Sequence, residues 1–158
     1  DFAVDFTMGN GHDKEFLSKT VGEKGKVIAF DIQEKAIIST EKRLKEANCP
    51  ENYTLLNVSH HLAANYIKEP IKAGMFNLGN KNITTMRETT LPAIKFAVSM
   101  LDKGGILVIA VYPGHNEGKL EGEEIENYLS ALPKYNFGVG KFEIINSEFS
   151  PYFMIVEN

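Results

Sequence analysis

Continuous apolar runs and amphipathic stretches alternate along the chain. Residues 1–6 form a nearly unbroken apolar run that gives way to a glycine turn at Met8, Gly9, Asn10 and Gly11. Residues 26–31 form a second run and end on Asp31. Over 34–47 the apolar positions Ala36, Ile37, Leu44 and Ala47 recur at helical spacing with charges between them, which predicts an amphipathic helix. A third strand is predicted over 53–58, a short helix over 60–68 stopped by Pro70, and a fourth strand over 73–78. Over 87–101, Leu91, Ile94, Ala97, Val98 and Leu101 share one helix face, and Gly104 and Gly105 are placed to end it. A strand over 106–111 and a helix over 121–132 follow, then two strands, 137–145 and 152–156, with no helix between them.

Strands buried on both faces read as unbroken apolar runs, and strand–helix alternation makes a mostly parallel sheet covered by helices on both faces. The last two strands break the alternation, so one of them is expected to run antiparallel at or near a sheet edge. The expectation is an α/β fold with a seven-stranded, mostly parallel sheet, in a single domain spanning 1–158. Since the chain starts inside a strand, a further segment ahead of Asp1 is expected.

Composition narrows the function classes. Hydrophobic residues make up 43% and charged residues 24% of the 158, which suits a folded globular protein and excludes global disorder. The apolar run around residues 105–111 falls far short of the roughly 20 residues of a membrane span. The single cysteine, Cys49, excludes an intramolecular disulfide and a cysteine-cluster metal site, and points to a reducing, cytoplasmic setting. Seventeen basic against 21 acidic residues give a net charge of −4, which does not announce a nucleic-acid binder. A local basic patch can still act within an acidic protein, and Lys14, Lys19, Lys81, Arg87 and Lys119 are the candidates.

Candidate chemistry gathers after the predicted strands. Gly9 and Gly11 let the backbone turn tightly and approach a ligand, and the start of the following helix favours a negative group. Asp13 is a candidate N-cap there. The third glycine of the dinucleotide fingerprint is missing, since Lys14 stands at that spacing, which counts against a nicotinamide cofactor. Asp31 lies 20 residues beyond Gly11, where an acid either accepts hydrogen bonds from ribose hydroxyls or caps the next helix. Asn77 ends the strand at which the topology is expected to reverse and is either a ligand contact or a turn former before Gly79. Tyr112 and His115 follow the fifth strand, and His115 is either a proton acceptor or a plain loop residue. The hydroxyl-rich stretch 80–90 is either a polar loop or a substrate-facing one. His60 and His61 are adjacent and point different ways, and no spacing completes a metal site, so no metal is predicted.

These motifs together resemble the small bacterial rRNA methylase family of class I S-adenosylmethionine-dependent methyltransferases. The resemblance is carried by residues 4–13, 29–33, 75–79, 83–85, 88–90 and 112–115, in order and over nearly the whole chain. It implies a Rossmann-like methyltransferase fold and S-adenosylmethionine as cofactor. It further implies N-methylation of the aminomethyl group of 5-aminomethyl-2-thiouridine at the tRNA wobble position, with the anticodon stem-loop as partner. An rRNA base methyltransferase or a small-molecule N-methyltransferase would share the cofactor and nearly all the motifs. By resemblance, Gly9, Asn10 and Gly11 lie under the methionine part of the cofactor, with Asp5, Thr7 and Asp13 nearby. Asp31 holds the ribose, Ile32 and Gln33 flank the adenine, and Ser59 and His60 follow the third strand at the same site. Asn77, Leu78 and Gly79 shape the methyl-transfer pocket, while Lys81, Thr84, Thr85, Arg87, Tyr112 and His115 face the substrate. Asn77 is expected to orient the amine, with Tyr112 beside it and His115 or water taking its proton. The chain departs from the family in two places. Val58 stands where relatives carry an acid, and Gly79 runs directly into Asn80, where a further loop is expected. A homodimer is compatible with this fold, but no residue marks its interface.

Overall fold

The chain, described here from a computed structural model over residues 1–9, 11–79, 88–158 and the backbone of Arg87, forms seven strands and four α-helices. In chain order these are β1 (Phe2–Asp5), α1 (His12–Val21), β2 (Lys26–Phe30), α2 (Glu34–Glu46), β3 (Tyr53–Leu56), a 3₁₀ helix (His60–Asn65), β4 (Ile71–Asn77), α3 (Arg87–Ser99), β5 (Leu101–Val111), α4 (Asn116–Ser130), β6 (Gly138–Phe142) and β7 (Tyr152–Glu157). The strand order is β3-β2-β1-β4-β5-β7-β6. β1 to β5 pair in parallel, and β7 alone runs against the others, between β5 and β6. This is the sheet that the hydrophobic pattern predicts, including the antiparallel strand next to the edge.

Side-chain alternation along β1 explains how one short strand serves two layers. Val4 and the following Phe6 face the larger core, which α3, α4 and the 3₁₀ helix help to build through Ala63, Ile94, Ala97, Ile125 and Leu129. Ala3 faces the smaller one, with Leu17 of α1 and Val27 of β2. Asp5, in step with Ala3, therefore points to the α1 side. Where β1, β2 and β4 end, three rings stack into one layer: Phe6 lies 4.3 Å from Phe76 at 4° and 6.0 Å from Phe30 at 15°. That layer is an apolar floor beneath the rim. The chain leaves β1 toward β2 and leaves β4 toward β5, so the crevice between β1 and β4 is the topological switch point, where α/β sheets bind ligands.

Four expectations about elements need correction. The helix predicted over 60–68 is a 3₁₀ helix of His60–Asn65, closed by tight i→i+3 bonds such as Leu62 N–H to the Ser59 carbonyl at 3.0 Å. Gly104 and Gly105 do not end α3. That helix closes at Ser99, and Leu101 is already drawn into the sheet opposite Ile71. The two glycines instead lie in an irregularity of β5, where the β4–β5 register shifts between Ile71 and Ala73. There Gly104 adopts φ +68° and a side chain on Gly105 would sit 2.7 Å from the Ile71 carbonyl oxygen. α4 starts five residues before the predicted 121, at Asn116, because His115 caps it. The strand predicted over 137–145 pairs only over Gly138–Phe142. Among the described residues no helix is long and apolar enough to cross a membrane.

Candidate functional site

The glycine turn after β1 is held from three sides. The Met8 N–H donates to the Phe30 carbonyl at 2.9 Å, and the Gly11 N–H donates to the Met8 carbonyl at 3.1 Å. Gly9 and Gly11 take φ +52° and +80°, which L side chains rarely adopt. At Gly11 space is also short, since a Cβ would lie 2.7 Å from Thr40 Oγ1 of α2. Thr40 in turn donates to the Gly9 carbonyl at 3.3 Å. Gly11 is itself the N-cap residue of α1, and Asp13, the expected cap, lies in the helix's first turn. A capping side chain needs extended backbone one position ahead of the helix, and the left-handed Gly11 occupies that position.

Asp31 clamps this turn to the end of β2. Its Oδ2 accepts from the Gly9 N–H at 3.0 Å and its Oδ1 from the Gln33 N–H at 2.9 Å. Gln33, not Asp31, is the N-cap residue of α2. Each carboxylate oxygen keeps a second lone pair for a hydroxyl donor. Ile32 beside it is more than half exposed and offers an apolar face.

Asp5 is wholly buried beneath the turn. Its Oδ1 accepts from the Thr7 N–H at 3.1 Å, while its Oδ2 has no hydrogen-bond partner among the described residues. Burial pushes its carboxyl up to about 7. Thr7 carries the connection onward, because its Oγ1 accepts from the Asn77 N–H at 2.5 Å and ties the turn to the end of β4. The exposed Asn77 side chain accepts from the Gly79 N–H at 3.3 Å, and the Leu78 N–H donates to the Ala110 carbonyl of β5 at 3.0 Å. A Cβ on Gly79 would overlap the Tyr112 ring, so the ring rests against the Gly79 backbone and joins the loops after β4 and β5.

His60 sits under the same rim but reaches toward β1 and β4. Its Nδ1 lies 3.2 Å from the Phe6 carbonyl, and its ring stands edge-on to Phe76 at 5.8 Å. With the Nδ1 proton on that carbonyl, Nε2 is a buried acceptor with no partner among the described residues. Burial holds the imidazole below its usual range. Ser59 is bonded to His61 Nδ1 at 2.8 Å. His115 is the cap of α4, and its Nδ1 accepts from the Gly118 N–H at 3.0 Å. A neutral imidazole has one acceptor nitrogen, and here it is in use. For His115 to act as a general base, the cap must first open.

The structure thus brings Asp5, Thr7, Gly9, Gly11, Asp31, Ile32, Gln33, Asn77, Leu78 and Gly79 to the ends of β1, β2 and β4, with Tyr112 against them. Asn10, Lys81, Thr84, Thr85 and the side chain of Arg87 lie outside the described residues. Of the expected rim cations, Lys119 is exposed, while Lys19 is paired with Glu15 at 2.8 Å near the far end of α1. Lys14 is not a surface residue at all, since it is wholly buried. No sequence signal distinguishes it from the solvated lysines around it. Among the described residues no three His, Cys, Asp or Glu side chains are grouped to hold a metal ion.

Comparison with known proteins places this geometry in context. A family described as "Putative rRNA methylase" matches residues 27–158. A protein of Arabidopsis thaliana named tRNA (mnm(5)s(2)U34)-methyltransferase, chloroplastic, is 36% identical over 169 residues, covering 96% of this chain. The chain spans 61% of the length of that relative. A crystal structure from Clostridium thermocellum, titled as a "putative rRNA-methylase", superposes with a TM-score of 0.93 at 37% identity, covering 99% of this chain and 88% of the other. A structure from Streptococcus mutans, titled as a "putative methyltransferase" in complex with S-adenosylhomocysteine, gives a TM-score of 0.88 at 36% identity, with coverages of 99% and 87%.

Proposed function

The chain belongs to the rRNA methylase family, and from that premise we propose that it is an S-adenosylmethionine-dependent methyltransferase that modifies tRNA. Its proposed reaction is N-methylation of the aminomethyl group of 5-aminomethyl-2-thiouridine at the wobble position. The named activity of the Arabidopsis relative supports the tRNA substrate, and the ligand in the Streptococcus structure supports the cofactor. The observation that carries the reading is the Oδ2 of buried Asp5, which has no partner among the described residues, beneath a glycine turn that Asp31 fastens to β2. This rim is rich in acceptors: Asp5, Asp13 and Asp31 surround the turn. Such a set fits a ligand that brings an ammonium and ribose hydroxyls, and the glycine cradle leaves its backbone open to close approach.

When bound, the cofactor supplies an electrophilic methyl group on a sulfonium. The chain's own task is then to hold and to orient. Asp5 and Asp13 take the amino-acid end over Gly9, Asn10 and Gly11. Asp31 takes the ribose with its second lone pairs, and Ile32 and Gln33 flank the base, with Ser59 and His60 completing that side. Asn77, Leu78 and Gly79 shape the pocket for the reacting amine. The remaining lone pair of the Asn77 carbonyl accepts an amine N–H and turns the nitrogen lone pair toward the methyl group, a gain in orientation rather than in acid–base chemistry. Tyr112 borders the substrate, and the stretch with Lys81, Thr84, Thr85 and Arg87 meets the anticodon stem-loop. A primary alkylamine is protonated at neutral pH, with a reference value of about 10.4 for lysine. Its proton leaves to water, because the acceptor nitrogen of His115 is committed to α4.

Labelled S-adenosylmethionine incubated with bulk tRNA and, separately, with ribosomal RNA tests the assignment, using RNA from cells that lack this protein. Label on a wobble 5-aminomethyluridine, identified by mass, is the expected result. Label confined to ribosomal RNA keeps the cofactor and overturns the substrate.

A further inference from the structure

A fully buried lysine is rare, and one without a hydrogen bond is rarer. Lys14 is 0% exposed, and its Nζ has no partner among the described residues. It lies in the first turn of α1 on the buried face shared with Leu17, which packs with Ala3, the β1 residue in step with Asp5. Asp5 Oδ2 is likewise buried and without a partner among the described residues. Asp5 is the one countercharge that acts on Lys14 among the described residues. The surrounding elements offer Lys14 no substitute. Asp13 of α1 and Asp31 at the end of β2 are acids too, and their charges add to the burial that raises Asp5. β4 sets Met75 opposite Asp5, and α2 sets Thr40 against Gly11, and neither of these titrates.

We propose that Lys14 is a positioning residue of the cofactor site: its buried ammonium keeps the Asp5 carboxylate charged beneath the glycine turn, so that Oδ2 can take the ammonium of the cofactor's amino-acid end. The proposal rests on the cofactor reading above and adds a residue to it. The physical need is plain. Asp5 is desolvated and faces two further acids, so alone it would hold its proton at neutral pH and present a hydroxyl where an anion is wanted. Among the described residues Lys14 supplies the one opposing charge, which burial in turn lowers to about 7, and a ligand ammonium at Oδ2 reinforces the ionised state of Asp5. Burial leaves Asp5 at about 7 even with the Thr7 N–H and Lys14 opposing it, so binding is expected to strengthen as pH rises through that value.

Titration calorimetry with S-adenosylhomocysteine between pH 6 and 8.5 tests this on the intact chain. In the unaltered protein, affinity rises from pH 6 and levels above about 7.5. At pH 6 binding releases up to one proton, read from the heat difference between phosphate and bis-Tris buffers. Lys14→Met shifts the rise to higher pH, with affinity about tenfold weaker at pH 6, the equivalent of one pKa unit, about fivefold weaker at pH 7, and the deficit shrinking toward pH 8.5. Lys14→Arg, which keeps the cation, restores the unaltered profile. A merely structural lysine gives a loss equal at every pH that arginine does not rescue, and that result overturns the proposal. If Lys14→Met fails to fold, Lys14→Arg decides on its own: a loss of affinity equal at every pH in place of the unaltered profile overturns the proposal. Absence of any binding by the unaltered protein overturns the cofactor reading as well, so the two failures are told apart.

Discussion

At the scale of single residues, the rim is built from contacts that leave no room for a methyl group. Gly79 lies against the Tyr112 ring, whereas Gly114, one residue before the α4 cap His115, faces open space. Gly79→Ala must therefore displace the ring or the loop after β4. An overpacking penalty of about 1–3 kcal/mol is expected, with turnover falling because Asn77 and Tyr112 lose their relative placement. Gly114→Ala meets nothing within 4 Å and is expected to keep stability within about 0.5 kcal/mol. Urea midpoints and single-turnover rates for the two variants, compared side by side, check this. Equal effects at both sites mean that the Tyr112 contact does not organise the pocket.

At the scale of elements, α4 shows how a helix start takes over a residue that sequence analysis assigns to chemistry. His115 precedes Asn116 in extended backbone and closes the first turn through Gly118. Gly118 is buried, and Gly122 packs its backbone under Tyr152 and Val111, so α4 is pressed onto β5 and β7. Losing the cap costs about 1 kcal/mol. His115→Ala is therefore expected to lower turnover by the same factor at pH 6.5 and pH 9, through looser placement of the loop after β5. A loss confined to pH 6.5 would return His115 to the general-base role.

At the scale of the whole molecule, the buried pair beneath the glycine turn sets how stability follows pH. Asp5 titrates near 3.8 in the unfolded chain and at about 7 when folded, so between these values the native state holds the extra proton. Stability from this group falls as pH rises through that window. Lys14 titrates near 10.5 when unfolded and at about 7 when folded, so above 7 the unfolded chain holds the extra proton and stability recovers. The two slopes meet near neutrality, where the pair opposes folding most. Asp5→Asn with Lys14→Met is expected to be more stable than the unaltered protein by about 1–4 kcal/mol near pH 7, with the gain shrinking toward pH 4 and pH 10. Denaturant unfolding at the three pH values checks the shape of that difference. The same double variant is expected to bind S-adenosylhomocysteine poorly, since the site keeps buried charge that the fold alone would discard.

Much of this was legible in the chain itself, and for a local reason. Apolar runs in 1–6, 26–31 and 106–111 read as strands buried on both faces, and helical periods between strands point to parallel pairing. The glycine turn and the acid 20 residues beyond it also follow from local backbone demands, and the structure joins them through one hydrogen bond. Periodicity could not locate the start of α4, because Gly118 and Gly122 carry no side chain to mark its inner face. Nor could it say that Gly104 and Gly105 open β5 rather than close α3, since that depends on where Ile71 pairs. Above all, it could not pick Lys14 from its neighbours. Whether a lysine is solvated or sealed in depends on which strands and helices close over it, and only the assembled sheet, with Asp5 on the same face, decides that.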